Sequence, residues 1–196
     1  VRSAGTTTAL TINNLQATNS FTLTAAAAGA VALNLATAIG TSDVVNVALS
    51  AAAGFANSGA ITIAGVETVN IATSDTSAAT DLTITAFTAP IAATSATSVV
   101  VTGNAGLNLT SSSLLAVTSL DASAVTGFVA ADGTNTAGTV TYTTGAITAS
   151  TTIKGGAGDD VLNASAAATA GKTVNISGNG GNDTITGSAT LVNTLS

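Results

Sequence analysis

The sequence predicts an all-β fold, a parallel β-helix or β-solenoid with variable loops, on three observations. Apolar and polar residues alternate along most of the chain, which is the period of a strand with one buried face. An apolar-Asn-apolar triplet recurs at loose intervals. Two nine-residue Gly/Asp segments lie between residues 155 and 186 and have the makings of tight, repeated turns.

Taken in order, the strand patterns begin with Leu10-Thr11-Ile12 and Phe21-Thr22-Leu23. The first triplets follow, Leu33-Asn34-Leu35 and Val45-Asn46-Val47, and Val69-Asn70-Ile71 comes after an interval twice as long. Ile61-Thr62-Ile63 and Leu82-Thr83-Ile84 alternate again. Leu107-Asn108-Leu109, Val140-Thr141-Tyr142 and Val174-Asn175-Ile176 complete the series. If the flanking apolar residues face inward, the asparagines face out and form ladders. Gly, Ser, Asn, Asp and Ala clusters separate the strands and supply turns. The alanine runs at 25–28, 51–53 and 166–168 have the composition of short helical turns but lack the apolar stripe of a stable helix. Pro90, the only proline, marks a bend or a strand start. Near residue 151 the texture changes from Thr/Ala-rich strands to Gly-Asp loops. The expected organisation is therefore a Thr/Ala-rich solenoid-like region over 1–150 and a region of Gly-Asp rolls over 151–196.

Composition narrows the core. The chain of 196 residues is 46% hydrophobic but only 3% aromatic and 6% charged, with about a fifth threonine. Stacked ladders of Val, Ile and Leu suit this mixture better than a thick aromatic core, and solenoids bury apolar faces in that way. The β-branched richness and low charge are the reverse of a disordered composition.

The segment 155–163 reads Gly-Gly-Ala-Gly-Asp-Asp-Val-Leu-Asn and matches every position of the nonapeptide G-G-x-G-x-D-x-U-x, where U is a large apolar residue. The segment 178–186, Gly-Asn-Gly-Gly-Asn-Asp-Thr-Ile-Thr, matches with Asn179 in place of the second glycine. Asparagine tolerates left-handed φ better than other non-glycine residues, so the turn is expected to survive. Glycines let the backbone turn its carbonyls inward, and Leu162 and Ile185 send apolar side chains into the coil. Calcium takes six to eight hard oxygens, more than one loop offers, so the pattern implies Ca2+ shared between stacked turns. Asp160 and Asp183 are the candidate carboxylate ligands. Carbonyls of Gly156, Gly158, Asn179 and Gly181 would complete the shell. Asp159 and Asn182, one position earlier, either point outward or assist. The two aspartates stand further apart than two uninterrupted nonapeptides would place them, which fits a short insertion in the Ala/Thr stretch between them. Ordinary Gly-Asp turns would satisfy turn chemistry but not the full nine-position pattern. Asp43, Glu67, Asp75, Asp81, Asp121 and Asp132 are scattered and read first as turn or cap residues. Asp75 and Asp81 are the best accessory pair.

Other functions are poorly supported. A net charge of −6, with only Arg2, Lys154 and Lys172 as cations, lacks the basic footprint of a nucleic-acid binder or of docking to anionic lipid. No apolar run approaches a membrane span. Without His there is no imidazole base and no Ser-His-Asp triad. Carboxylate pairs serve glycosidases, but four Phe, one Tyr and one Arg offer little for a substrate cleft. No catalytic activity is expected. With no Cys there is no disulfide framework, which leaves bound metal as the staple. Val1-Arg2-Ser3 shows neither an initiator Met nor a signal pattern, and the chain is expected to be a segment of a longer protein.

The stretches Val101–Leu107, Val117–Gly127 and Thr152–Asp160 resemble the C-terminal half of the RTX-type surface-layer proteins of Caulobacter. Gly65-Val66-Glu67-Thr68-Val69-Asn70-Ile71 also looks like an element of large secreted RTX proteins. The resemblance is most specific over about residues 98–190. It implies a calcium-dependent, extracellular protein exported by a type I system through an uncleaved C-terminal signal, with residues 151–196 forming an RTX-type calcium β-roll. It further implies that the chain assembles with copies of itself into a two-dimensional surface lattice. Lipopolysaccharide would be contacted by a separate region outside this chain. The alternative is a segment of an RTX adhesin or biofilm-matrix protein that acts as a binding module. The family's calcium aspartates carry over only to Asp160 and Asp183.

Overall fold

The computed structural model describes residues 1–77, 84–129 and 135–196. Its strands follow one another as β1 (Arg2–Ser3), β2 (Leu10–Leu15), β3 (Ser20–Leu23), β4 (Val31–Leu35), β5 (Val44–Ala51), β6 (Ile61–Ile63) and β7 (Thr68–Asp75). Next come β8 (Ala86–Thr88), β9 (Ile91–Ala92), β10 (Ser98–Gly103), β11 (Gly106–Asn108), β12 (Ser119–Val125), β13 (Phe128–Val129) and β14 (Asn135–Ala137). The last are β15 (Val140–Thr143), β16 (Thr151–Lys154), β17 (Val161–Asn163), β18 (Thr173–Ser177), β19 (Thr184–Thr186) and β20 (Val192–Leu195).

Three parallel sheets arise from these strands. One has nine strands, ordered β1-β3-β5-β7-β10-β12-β16-β18-β20. The others are β2-β4-β6-β9 and β19-β17-β15-β11-β8, while β13 and β14 form a small antiparallel hairpin. The chain alternates between the long sheet and the shorter ones, and each return lays a strand beside the one before it. This all-β arrangement of stacked parallel sheets is consistent with a β-helix. No helix occurs among the described residues, so the alanine runs do not form helical turns. Ala51 instead ends β5, and Ala168 makes an isolated bridge to Ile147.

Register shows why the alternating pattern works. Val45, Val69, Val99, Leu120, Ile153 and Ile176 stand in one column of the long sheet. Phe21, Val47, Ile71 and Val101 form the next. All ten are at most 2% exposed and belong to a single buried cluster fed by all three parallel sheets. Each such Val, Leu or Ile contributes about 1.5–3 kcal/mol by leaving water. The largest side chains are few, and Phe55 and Phe87 meet with ring centroids 4.8 Å apart.

Turn length varies. Arg2 pairs with Thr22 after a short circuit, whereas the circuit that pairs Leu120 with Ile153 is more than half as long again. The asparagine triplets are explained by this path. Asn46 and Asn70 are neighbours in the long sheet, and Asn70 Nδ2 donates to Asn46 Oδ1 at 2.9 Å. Asn34, in the triplet before Asn46, lies in the other sheet and donates to Asn13 at 2.9 Å. Pro90 immediately precedes β9 and lends its carbonyl to the Ile61 N–H. The long sheet runs unbroken across residue 151 through the β12–β16 pairing.

Candidate metal centre

The two nonapeptides occupy equivalent places. Residues 155–160 form the corner from β16 to β17, and residues 178–183 form the corner from β18 to β19. Because β16 pairs with β18 and β17 with β19, the corners stack directly, with Leu162 opposite Ile185. Leu162 is fully buried and Ile185 packs on the same core.

The stacking is tied through acidic side chains. Asp183 Oδ1 accepts the Asp160 N–H at 2.9 Å, one turn back. Asp160 Oδ1 likewise reaches back to the Val140 N–H at 2.7 Å, and its Oδ2 accepts the Gly156 N–H at 2.7 Å. Asp159 and Asn182 are exposed, and the Asn182 N–H donates to Asp159 Oδ1 at 2.8 Å. Gly156 O accepts the Gly180 N–H at 3.1 Å. Asn179 takes a φ of 69°, and its Nδ2 donates to Gly155 O at 2.6 Å, so the substituted position closes its corner in its own way, whereas its counterpart Gly156 lies outside the left-handed region. Gly181 also lies in the left-handed region, at φ 102°, against the carbonyl of Gly158. All eight residues singled out in the sequence thus lie in the two stacked corners.

Sequence reasoning missed two kinds of participant. Val140 supplies an N–H from the preceding turn, which no motif marks. Gly155 and Gly178, the opening glycines, were assigned only to turning the chain. A Cβ at Gly155 would collide with Asp160 Oδ2, and one at Gly178 with Asp183 Oδ2, so each glycine makes room for the carboxylate of its own corner.

Asp160 is 1% exposed, and its carboxyl is pushed up to about 6. Burial is the main cause. The neighbouring Asp183 and Asp159 carboxylates push the same way, while the Val140 and Gly156 amides oppose. The only ion pair among the described residues is Lys154 with Asp121, at 3.2 Å on the outer face. The corner is therefore an oxygen-rich, anionic place without a cationic side chain. Such donors fit a hard divalent cation. Among the described residues no three acidic side chains gather at one point, so a calcium ion there would also need main-chain oxygens.

The other acidic residues lie elsewhere. Asp75 is buried at the end of β7, three strands from β16 in sheet order, or about 14 Å. Its carboxylate accepts the N–H groups of Ser77 at 2.9 Å and Ile84 at 3.1 Å, as a turn former does. Asp81 and Asp132 lie outside the described residues, as do Leu82 and Thr83 of the expected strand. Asp43 and Glu67 stack at the corner entering β5 and β7, where the Asp43 N–H donates to Glu67 Oε2 at 2.9 Å. Asp121 accepts from Ser123 and Lys154, and the Ser123 hydroxyl leads in holding its carboxyl below the usual range. No family model and no curated protein matches the chain.

Proposed function

We propose that the chain is a calcium-stapled parallel β-solenoid from a bacterial surface layer, with residues 151–196 as an RTX-type β-roll and self-assembly into a two-dimensional lattice as its task. One observation carries this reading: the stacked corners hold the buried Asp160 beside Asp159 and Asp183 with no cationic side chain to neutralise them. Asp160 and Asp183 would hold the ion together with the carbonyls of Gly156, Gly158, Asn179 and Gly181. Bound calcium would supply the missing positive charge and clamp one turn to the next. It would act by mass action, because only the folded stack presents the donors together. The role is construction rather than catalysis, and the location is the extracellular cell surface.

The test is a calcium titration followed at once by circular dichroism, for folding, and by light scattering, for assembly. Calcium should sharpen the β signal and then raise scattering, with periodic sheets visible by electron microscopy, and chelator should reverse both. Assembly indifferent to excess chelator would overturn the calcium mechanism. Calcium-loaded protein that stays monomeric would favour the adhesin module instead.

A further inference from the structure

We infer that the outer face of the nine-stranded sheet docks a second copy of the chain about a two-fold axis lying between β12 and β16, parallel to the strands. This deepens the self-assembly reading above and rests on it.

The outward residues of that sheet form a column whose polar part is Thr68, Ser98, Ser119, Thr152, Asn175 and Thr194, in register across six neighbouring strands and ended by the apolar Val44 of β5, which pairs with Thr68. All six are partly or fully exposed, and none of these side chains bonds to another described residue. Hydroxyls and amides both donate and accept, so the column is complementary to a copy of itself. The polar part of the column also has a centre. Three of its members lie on β7, β10 and β12, and three on β16, β18 and β20. A two-fold axis at the midpoint sets Ser119 opposite Thr152 of the partner subunit, Ser98 opposite Asn175 of the partner subunit, and Thr68 opposite Thr194 of the partner subunit. Each contact then occurs twice, as an isologous interface requires.

Charge selects the same axis. One column over, the charged residues are Asp121 and Lys154, paired across β12 and β16 on either side of that midpoint. The rotation carries Asp121 over Lys154 of the partner subunit and Lys154 over Asp121 of the partner subunit, a neutral square of four charges. At about 4.8 Å between strands and about 6.8 Å between outward residues, six strands and two columns share a patch of roughly 400 Å² per copy. That is about 800 Å² in total, the size of a weak contact, which suits one repeated in an array rather than an obligate dimer.

The chain has no cysteine, so Ser98→Cys and Asn175→Cys variants report the geometry directly. Mixed in calcium with a bismaleimide that spans one sheet-to-sheet distance, about 10 Å, the two should form a cross-linked dimer at least tenfold more than either alone. In a two-fold dimer of one variant the like residues lie three strands apart along the sheets, about 14 Å, as well as across the interface, beyond the reach of that linker. Lys154→Glu should weaken self-association at least tenfold, and Asp121→Lys with Lys154→Glu should restore it, with circular dichroism unchanged throughout. Calcium-induced assembly with no excess cross-link in the mixture would overturn this face while leaving the assembly reading intact. Protein that remains monomeric in calcium would overturn both. Monomeric protein retained on a neutral polysaccharide through this face would overturn the second-copy assignment in favour of a glycan.

Discussion

Replacing Asp160 by asparagine separates the two things its carboxylate does. The carboxyl is 1% exposed and pushed up from 3.8 to about 6, so ionising it in the calcium-free fold costs about 3 kcal/mol at pH 8. Asparagine removes that cost. It also removes one of the two backbone bonds, because an amide nitrogen cannot accept from both the Val140 and Gly156 N–H groups. A hydrogen bond to a charged group is worth about 1.5–3 kcal/mol, so the two changes offset to within about 1.5 kcal/mol. In chelator, Asp160→Asn should therefore unfold near the wild type. With calcium at a hundred times its Kd, linkage adds about 2.7 kcal/mol to the wild type, which for a chain of this length raises Tm by about 5–11 °C. The variant should gain almost none of it. The assay is thermal or urea unfolding with and without calcium, monitored by far-ultraviolet circular dichroism. An Asp160→Asn variant with the full calcium-dependent rise, or a wild type without one, would refute the reasoning.

Three further outcomes follow from the same geometry. A folded-state carboxyl raised to about 6 contributes stability that is complete below pH 4 and lost as pH rises through 6; calcium-free protein should lose up to about 3 kcal/mol from pH 4 to 7 through this group, and Asp160→Asn should flatten that part of a urea-unfolding pH profile. Gly178→Ala would place its Cβ on Asp183 Oδ2 and should cost about 2–4 kcal/mol, whereas Gly40→Ala, at φ 127° with open space around it, should cost only the backbone strain of about 1–2 kcal/mol; equilibrium unfolding of both compares the two, and equal losses would contradict the packing argument. The Tyr142 hydroxyl is buried without a partner among the described residues, and burial raises it to about 12; Tyr142→Phe should leave stability unchanged or raise it by about 1 kcal/mol, and a loss above about 2 kcal/mol would reveal a bond to that oxygen.

Much of the fold was legible because a strand with one buried face must alternate, whatever its neighbours are. Phe21-Thr22-Leu23, Ile61-Thr62-Ile63 and Val140-Thr141-Tyr142 all became strands with the apolar residues inside. The two Gly-Asp corners were legible for a related reason: the residues of each nonapeptide lie close along the chain, so spacing alone assembles them. The alanine runs, which have the composition of helical turns but lack the apolar stripe, form no helix, because stacking against adjacent turns governs the backbone there. The loose spacing of the triplets has its cause in the circuits. The shorter interval, from Asn34 to Asn46, crosses from one sheet to another, while the longer one, from Asn46 to Asn70, is a full circuit.

The sequence by itself determined the strand texture, the inward and outward faces, and the two acidic corners, because each depends on residues close along the chain. Only the tertiary structure decided which turns lie against each other, since corners of unequal length make circuits of unequal length and no local pattern announces where one closes. That stacking brings the Val140 amide to Asp160 and Asp160 to Asp183. It also aligns six polar residues from six different strands into one column. The nonapeptides supplied the acidic side chains, and the stacking of one turn on the next set the burial of Asp160 and its repulsion by Asp159 and Asp183.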